Sequence, residues 1–371
     1  ILATEEHNSI TTVGRESIAI LAQSVGGGGG SGGLTVNGSV NLTGKSGAAV
    51  SLGVGGFGGG GGAAGNVALD ITADVQTFGD RSHGIFAQSV GGGGGVGGIN
   101  ISGSLSLAKP EGSATKLSIA AGVGGFGGDG GDGGAVSVSY KGELIALPRT
   151  VHEDQTITVN EKGGADGLVA QSIGGGGGSG GINVSAGLTI SSKPSAGQPE
   201  SKSYAMLIGV GGFGGKGGNA GEVDVKVLQG STIHAHGTGR SGVLAQSVGG
   251  GGGNGGLNVS GGIVSDTSLI VGVGGMTDKG GSAKSVSVQT RADITVTTDP
   301  ADFAVPSDEK AFEEKLREVL GNTIVDGFDG ILESRNLKTL FVDLGLFKGD
   351  DNPPETQGSA GILAQSIGGG G

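Results

Sequence analysis

One block of sequence recurs five times along this chain and constrains its fold more than any other feature. The block is Ala-Gln-Ser-Val/Ile followed by a run of glycines, and its glutamines are Gln23, Gln88, Gln171, Gln246 and Gln365. Successive glutamines lie 65, 83, 75 and 119 residues apart. A recurring unit of variable length is typical of solenoids, in which each coil packs only against its neighbours. We therefore interpret the five glutamines as markers of a structural repeat.

Each unit also contains short segments in which apolar and polar residues alternate. In residues 67–75, apolar side chains share one face, and Asp70, Thr72 and Asp74 share the other. Period-two alternation with β-branched residues predicts half-buried strands. The fold class predicted is all-β, a repetitive parallel β-solenoid or β-helix. If a coil takes about 25 residues, each repeat unit contains three coils and the chain forms a rod about 70 Å long. Equivalent glutamines would then lie about 14 Å apart and would not contact one another.

Glycine contributes 90 of the 371 residues, and its arrangement matters more than its amount. Collagen is excluded because its triple helix needs glycine at every third position with abundant proline, whereas this chain has glycine blocks and only 8 prolines. One block is a pentaglycine run such as Gly26–Gly30, and the other is Gly-Val-Gly-Gly-Phe-Gly-Gly, as at Gly53–Gly59. Either block could form tight corners or polyglycine segments of the polyglycine-II type that pack through their backbones. We favour packed helices for the pentaglycines and corners for the second block.

Composition excludes several classes of function. The chain has no Cys and no Trp and carries a formal net charge of −12, which argues against disulfide scaffolds, thiolate zinc sites and nucleic-acid binding. The sequence contains no run of about 18 apolar residues, so no membrane-spanning helix is predicted. No nucleophile, base and orienting acid can be assembled from the sequence, so we predict no catalytic site, no cofactor and no enzymatic activity.

A few local motifs suggest ligands, and each has a simpler explanation. Asp129 and Asp132 fit the opening of a calcium-binding repeat, but equivalent stretches lack the aspartates, so solvated loop residues are the alternative. His234 and His236 share one face of an apparent strand and would supply half a metal site. No metal site is predicted from them.

Asparagines recur in Asn-x-Ser sequences at one equivalent position of each unit, namely Asn100, Asn183 and Asn258. Such a sequence is a glycosylation acceptor in some secreted proteins. Recurrence at a single strand position favours a structural role instead.

The longest spacing contains an insertion of different composition, from Ala301 to Thr356. Apolar residues at helical spacing predict a small, acidic, mostly helical subdomain, which either covers the flank of the solenoid or presents a binding surface. The candidate interaction residues are Phe312, Leu316, Phe328 and Phe341. The predicted organisation is therefore solenoid repeats over 1–300, the insertion over 301–356 and the start of a further repeat over 357–371, in a chain cut from a longer array.

The block at Gly361–Gly371, Gly-Ile-Leu-Ala-Gln-Ser-Ile followed by four glycines, resembles the repeat of glycine-rich passenger domains in bacterial autotransporter-type surface proteins. The resemblance extends over all of the chain except the insertion. It implies an extracellular or outer-membrane location in a Gram-negative bacterium and a role as a segment of a cell-surface fibre or adhesin stalk. Expected partners are further copies along the fibre and a host or neighbour-cell ligand. The alternative is an adhesive module whose insertion recognises a ligand or a neighbouring fibre.

Overall fold

The computed structural model describes residues 2–3, 9–43, 46–107, 114–147, 149–151, 157–159, 164–191, 201–297 and 359–371. These residues form 25 strands and no helix. The strands stack into five parallel sheets, and one short antiparallel hairpin lies apart from them. The predicted all-β fold of parallel, stacked strands is confirmed. The helical insertion predicted for 301–356 lies outside the described residues.

Each sheet is a stack of equivalent strands, one from each coil. Sheet A contains β1 (Leu2–Ala3), β6 (Val67–Thr72), β11 (Val136–Lys141), β18 (Val223–Val227) and β23 (Val286–Thr290). Sheet B contains β2 (Ser9–Val13), β7 (Asp74–Phe78), β12 (Glu143–Ala146), β19 (Thr232–His236) and β24 (Asp293–Thr297). Sheet C contains β3 (Ile20–Val25), β8 (Ile85–Val90), β15 (Leu168–Ile173), β20 (Ser241–Val248) and β25 (Ala360–Ile367).

The remaining two sheets have four strands each. Sheet D contains β4 (Thr35–Asn41), β9 (Asn100–Leu107), β16 (Asn183–Ile190) and β21 (Asn258–Val264). Sheet E contains β5 (Gly47–Val54), β10 (Thr115–Val123), β17 (Lys202–Val210) and β22 (Thr267–Val273). The hairpin is formed by β13 (Arg149–Val151) and β14 (Ile157–Val159).

One repeat unit makes one coil, not three. In register, Gln88 pairs with Gln23 in the preceding strand of sheet C and with Gln171 in the following one. The expected coil of about 25 residues and the separation of about 14 Å between glutamines were therefore wrong. Five stacked strands advance about 19 Å along the stacking axis at about 4.8 Å per step, in place of the expected 70 Å. The coil is long because it passes through two separate lobes.

Sheets A, B and C enclose a three-sided lobe with an apolar core. Strand alternation places one face of each sheet inside, where side chains such as Val75, Ile85 and Leu144 are fully buried. Ala87 of the recurring block is also fully buried in this core.

Sheets D and E pack face to face as a second lobe whose interior is largely polar. Ser102, Ser104 and Ser106 of β9 point inward and are buried, whereas Ile101 of the same strand points outward. Hydroxyls cross between the sheets, since Ser106 Oγ donates to the carbonyl oxygen of Leu117 over 3.1 Å. Burial in this lobe is the reverse of the usual apolar-inside arrangement.

Candidate functional site

The two lobes are joined only by glycine tracts, which form a waist. In the second coil, the first glycine tract is residues 91–98, between β8 and β9, and the second is residues 124–134, between β10 and β11. The two tracts lie side by side and run in opposite directions. Each of the first four coils crosses the waist twice, so these tracts fix how the lobes sit relative to each other.

Hydrogen bonds in the first tract repeat every three residues. Gly94 and Gly97 donate their N–H groups to the first tract of the next coil, and Gly91 donates to the last residue of the strand before that tract, each over 2.8 Å. Gly92, Gly95 and Gly98 donate across the waist to the second tract of the preceding coil, over 2.7 to 2.9 Å. Two residues of every three are therefore held by neighbouring backbones, and the third faces solvent.

The glycines in bonded positions have no space for a side chain. A Cβ atom on Gly94 would overlap the carbonyl oxygen of Gly128 and would lie 2.7 Å from the amide nitrogen of Gly178. The outward position is different, because a Cβ on Gly93 would meet nothing closer than 3.9 Å. Val96 occupies the next outward position three residues later. The requirement for glycine thus arises from close backbone contact.

The second tract follows the same rule, so the Gly-Val-Gly-Gly-Phe block is not the tight corner that we expected. Positive φ angles occur at glycines such as Gly142 and Gly230, which lie in turns, and none is found in the described glycine tracts. In three coils, phenylalanine occupies an outward position of the second tract. The rings stack, with centroids 4.9 Å apart between Phe57 and Phe126 and 5.1 Å apart between Phe126 and Phe213.

The five predicted repeat markers form a continuous ladder on the outer face of sheet C. The Nε2 atom of each glutamine donates to Oε1 of the glutamine in the next coil, over 3.0, 3.0, 2.7 and 2.6 Å along the series. Our expectation that these residues would not contact one another was wrong, because each unit is one coil. Such amide ladders satisfy one another along a stack and add to the backbone hydrogen bonds.

The serine that follows each glutamine connects the three-sided lobe to the waist. Ser89 Oγ accepts the N–H of Gly134 over 2.8 Å and donates to the carbonyl oxygen of Gly65 over 2.9 Å. Because Gly65 and Gly134 belong to successive coils, this hydroxyl links two coils at the end of the second tract. Equivalent bonds are made by Ser172 and Ser247. The sequence offered a signal for this role in the strict recurrence of serine at one position.

A second, buried ladder runs through the two-sheet lobe. Asn100 Nδ2 donates to Asn183 Oδ1 over 2.7 Å, and Asn183 Nδ2 donates to Asn258 Oδ1 over 2.7 Å. The ladder stands against a row of glycines in sheet E, where a Cβ on Gly122 would overlap Asn183 Oδ1. The recurring Asn-x-Ser sequence thus has a structural role at these positions.

The candidate calcium ligands occupy outward positions of the second tract. Asp129 Oδ1 accepts the N–H of Lys216 over 2.9 Å, and Asp132 Oδ1 accepts the N–H of Asn219 over 2.6 Å. Each carboxylate therefore binds a backbone amide of the next coil. Among the described residues, no group of three or more histidine, aspartate or glutamate side chains is arranged to hold a metal ion. Calcium binding at these two residues stays a prediction.

A polar cluster that sequence reasoning missed lies between sheets B and C. The carboxylate of Asp166, nearly buried, accepts the N–H of Ser241 over 2.6 Å and lies 3.3 Å from His83 Nδ1 and 3.6 Å from Arg240 Nη1. Burial alone would raise the pKa of Asp166, but these hydrogen bonds and the nearby positive groups together lower it below its ordinary value. No local sequence motif predicts this cluster, because its residues come from three different coils.

The predicted histidine pair is divided between two environments. His236 is buried, and its Nδ1 lies 2.8 Å from Thr297 Oγ1, whereas His234 is only partly buried. The candidate interaction residues Phe312, Leu316, Phe328 and Phe341 lie outside the described residues. The segment that contains them connects the end of β24 to the start of β25, and so joins sheet B to sheet C.

Comparisons with protein-family models, with curated proteins and with solved structures found no match to this chain. Within the part of the chain that the structure describes, no helix is long and apolar enough to cross a membrane. The functional interpretation therefore depends on the geometry of the coils and on the resemblance of the repeat.

Proposed function

We propose that this chain is a structural segment of a long extracellular fibre or adhesin stalk on the surface of a Gram-negative bacterium. The observation that carries the proposal is the equivalence of successive coils. The second, third and fourth coils contact one another through five in-register strands, two glycine tracts and two amide ladders, so a further equivalent coil would create the same interface again. Stability in such an array grows with the number of coils.

We also infer that the glycine tracts are polyglycine helices with three residues per turn, of the polyglycine-II type. The support is the three-residue period of their hydrogen bonds and the outward position left at every third residue. Ordering glycine costs more conformational entropy than ordering any other residue. Packing each tract against neighbours above, below and across the waist offsets that cost with backbone hydrogen bonds, which only a stacked array can supply.

The surface location rests on the resemblance of the recurring block to glycine-rich autotransporter-type passenger domains. A structural role, without catalysis, agrees with the use of the recurring polar residues. The glutamines, asparagines and serines bond to their equivalents or to backbone groups of neighbouring coils. The recurring polar side chains of the repeat therefore serve to hold neighbouring coils together.

Cryo-electron microscopy of the full-length natural protein, combined with antibody labelling of intact cells, tests the proposal. We expect ribbons with an axial repeat of about 4.8 Å, labelled on unbroken cells. Compact particles that lack this repeat would contradict the architecture of the fibre. Labelling that appears only after lysis would contradict the surface location while leaving the architecture intact.

A further inference from the structure

Beyond a polar start that includes Thr115, Lys202 and Thr267, the outward side chains of sheet E are apolar in every coil. Three in-register rows face outward, and the phenylalanine row of the second glycine tract continues them. We call this grid the apolar face; its members are Val50, Leu52, Val54 and Phe57; Ile119, Ala121, Val123 and Phe126; Met206, Ile208, Val210 and Phe213; and Leu269, Val271, Val273 and Met276. The grid contains no ionisable side chain.

The apolar face is unusually large for a surface in contact with water. In the third coil, which has stacked neighbours on both sides, Met206 is 37% exposed and Ile208 is 39% exposed. Large apolar side chains expose roughly 150–200 Å² each when fully accessible, so the face presents on the order of 1,000 Å² of apolar area. The largest apolar patch of a typical monomer is about 300–600 Å². A standard interface buries about 800 Å² per partner.

The interior of the same lobe explains why the face is not turned inward. Most inward positions of β10 and β17 are taken by small or polar residues such as Ser118, Ala120 and Ser203, all buried, and Leu207 is the large apolar exception. Moving one strand by a single residue would exchange the two faces, but the inter-sheet hydrogen bonds and the asparagine ladder fix the register. The apolar residues are therefore held outward by the fold itself.

We propose that the apolar face is an interface between two copies of this chain, which pack their sheet E faces against each other. Both faces repeat every coil, so the rows of one copy match the spacing of the rows of the other. The resulting contact is a two-sheet packing with the sheets about 10 Å apart. Because each copy contributes the same patch, the natural symmetry is two-fold.

A second copy fits this surface better than a lipid bilayer does. Proteins that lie on membranes usually flank their apolar face with Lys and Arg and with Trp. The chain has no Trp, and its net charge of −12 would be repelled by anionic lipids. The same net charge does not oppose association at a face that lacks ionisable side chains. The inference is independent of the proposed fibre, since it concerns a lateral contact.

Analytical ultracentrifugation of the whole chain provides the first test. We expect a dimer at micromolar concentration. The double variant Ile119→Glu/Ile208→Lys leaves the net charge unchanged and places two charges inside the interface, so we expect its dissociation constant to rise at least 100-fold. The matched control, Ser137→Glu/Gln76→Lys, places the same charges on the outer faces of sheets A and B and should remain dimeric. Far-UV circular dichroism checks that all three proteins are folded.

Disulfide trapping gives a second test that does not depend on the charged variant folding. The natural chain has no cysteine, so a single introduced thiol reports unambiguously. Under mild oxidation, Ala121→Cys should give a covalent dimer, and Ser137→Cys should remain monomeric. Equal trapping of the two variants would overturn the proposal.

Other occupants of the face give different results. A natural chain that is monomeric up to about 100 µM, but dimeric after residues 301–356 are replaced by a short linker, would show that the insertion covers the face. Co-sedimentation of the monomer with phosphatidylcholine vesicles would assign the face to lipid. Either result, or a charged variant that stays dimeric, overturns the proposal.

Discussion

Asn100 donates a hydrogen bond from Nδ2 to Oδ1 of Asn183 in the next coil, over 2.7 Å, and both side chains are fully buried. Asn183 in turn donates to Asn258, so removing it breaks two buried bonds at once. A buried polar group that loses its partner costs more than the bond itself contributed.

Substitution of Asn183 by alanine should therefore lower the free energy of unfolding by about 3 kcal/mol, because Asn100 and Asn258 each lose one ladder bond in the interior of the lobe. These two asparagines keep their bonds to Ser102 and Ser260. The matched control is Gln171→Ala in the outer ladder, where water replaces the lost partners and about 0.5 kcal/mol is expected. Urea titration followed by circular dichroism measures both. Equal losses in the free energy of unfolding would show that the buried ladder contributes no more to stability than the exposed one.

Alanine at two adjacent waist positions should have opposite effects. Gly94→Ala forces a Cβ into the backbone of Gly128 and should destabilise the fold by about 3 kcal/mol or more. Gly93→Ala points outward and should be neutral, or stabilising by about 0.5 kcal/mol, since alanine restricts the unfolded chain. Thermal melts of the two variants distinguish a packed waist from a loose linker. A loose linker would tolerate both changes.

The hydroxyl of Tyr140 is expected to be dispensable. Tyr140 is fully buried in the three-sided lobe, and its oxygen has no hydrogen-bond partner among the described residues. Tyr140→Phe should therefore leave the stability unchanged or raise it by about 1 kcal/mol, because an unpaired polar atom is removed from an apolar core. Ser89→Ala, which removes a paired buried hydroxyl, should instead cost about 1–2 kcal/mol. A clear loss of stability in the tyrosine variant would reveal a partner for its oxygen.

Asp166 should make the fold sensitive to acid. Its pKa is lower in the folded chain than its ordinary value of 3.8, so the unfolded state binds protons more readily in the interval between the two. The stabilisation is complete above the ordinary pKa and is lost as pH falls through the lower folded value. Melting temperatures between pH 6 and pH 2 should fall less steeply for Asp166→Asn than for the natural chain. Identical slopes would show that the cluster is not linked to folding.

The alternation of polar and apolar residues was sufficient to predict strands and their parallel stacking, as in β6, β18 and β23. It could not show which face of a strand lies inside. In β9, serines alternate with Ile101, Leu105 and Leu107, and the common apolar-inside rule would bury the wrong set. The inversion depends on close approach of two sheets, which only three-dimensional packing reveals.

The length of the coil could not be obtained from strand lengths, because much of the coil outside the three-sided lobe consists of the two glycine tracts. A signal was nevertheless present in the second tract, where Phe126, Asp129 and Asp132 fall at intervals of three among glycines. That interval indicates a backbone with three residues per turn and one exposed position per turn. The cluster around Asp166 had no such signal, since Asp166 lies 83 residues from His83 and 75 residues from Ser241 in sequence.

Units of 65 to 119 residues all advance the stack by one strand. Chain length and axial length are therefore decoupled, and extra residues between strands do not disturb the register of the next coil. A gene encoding such an array could gain, lose or exchange these segments while the ribbon keeps its pitch. The surface can diversify at fixed periodicity, with the glycine waist as its constant part.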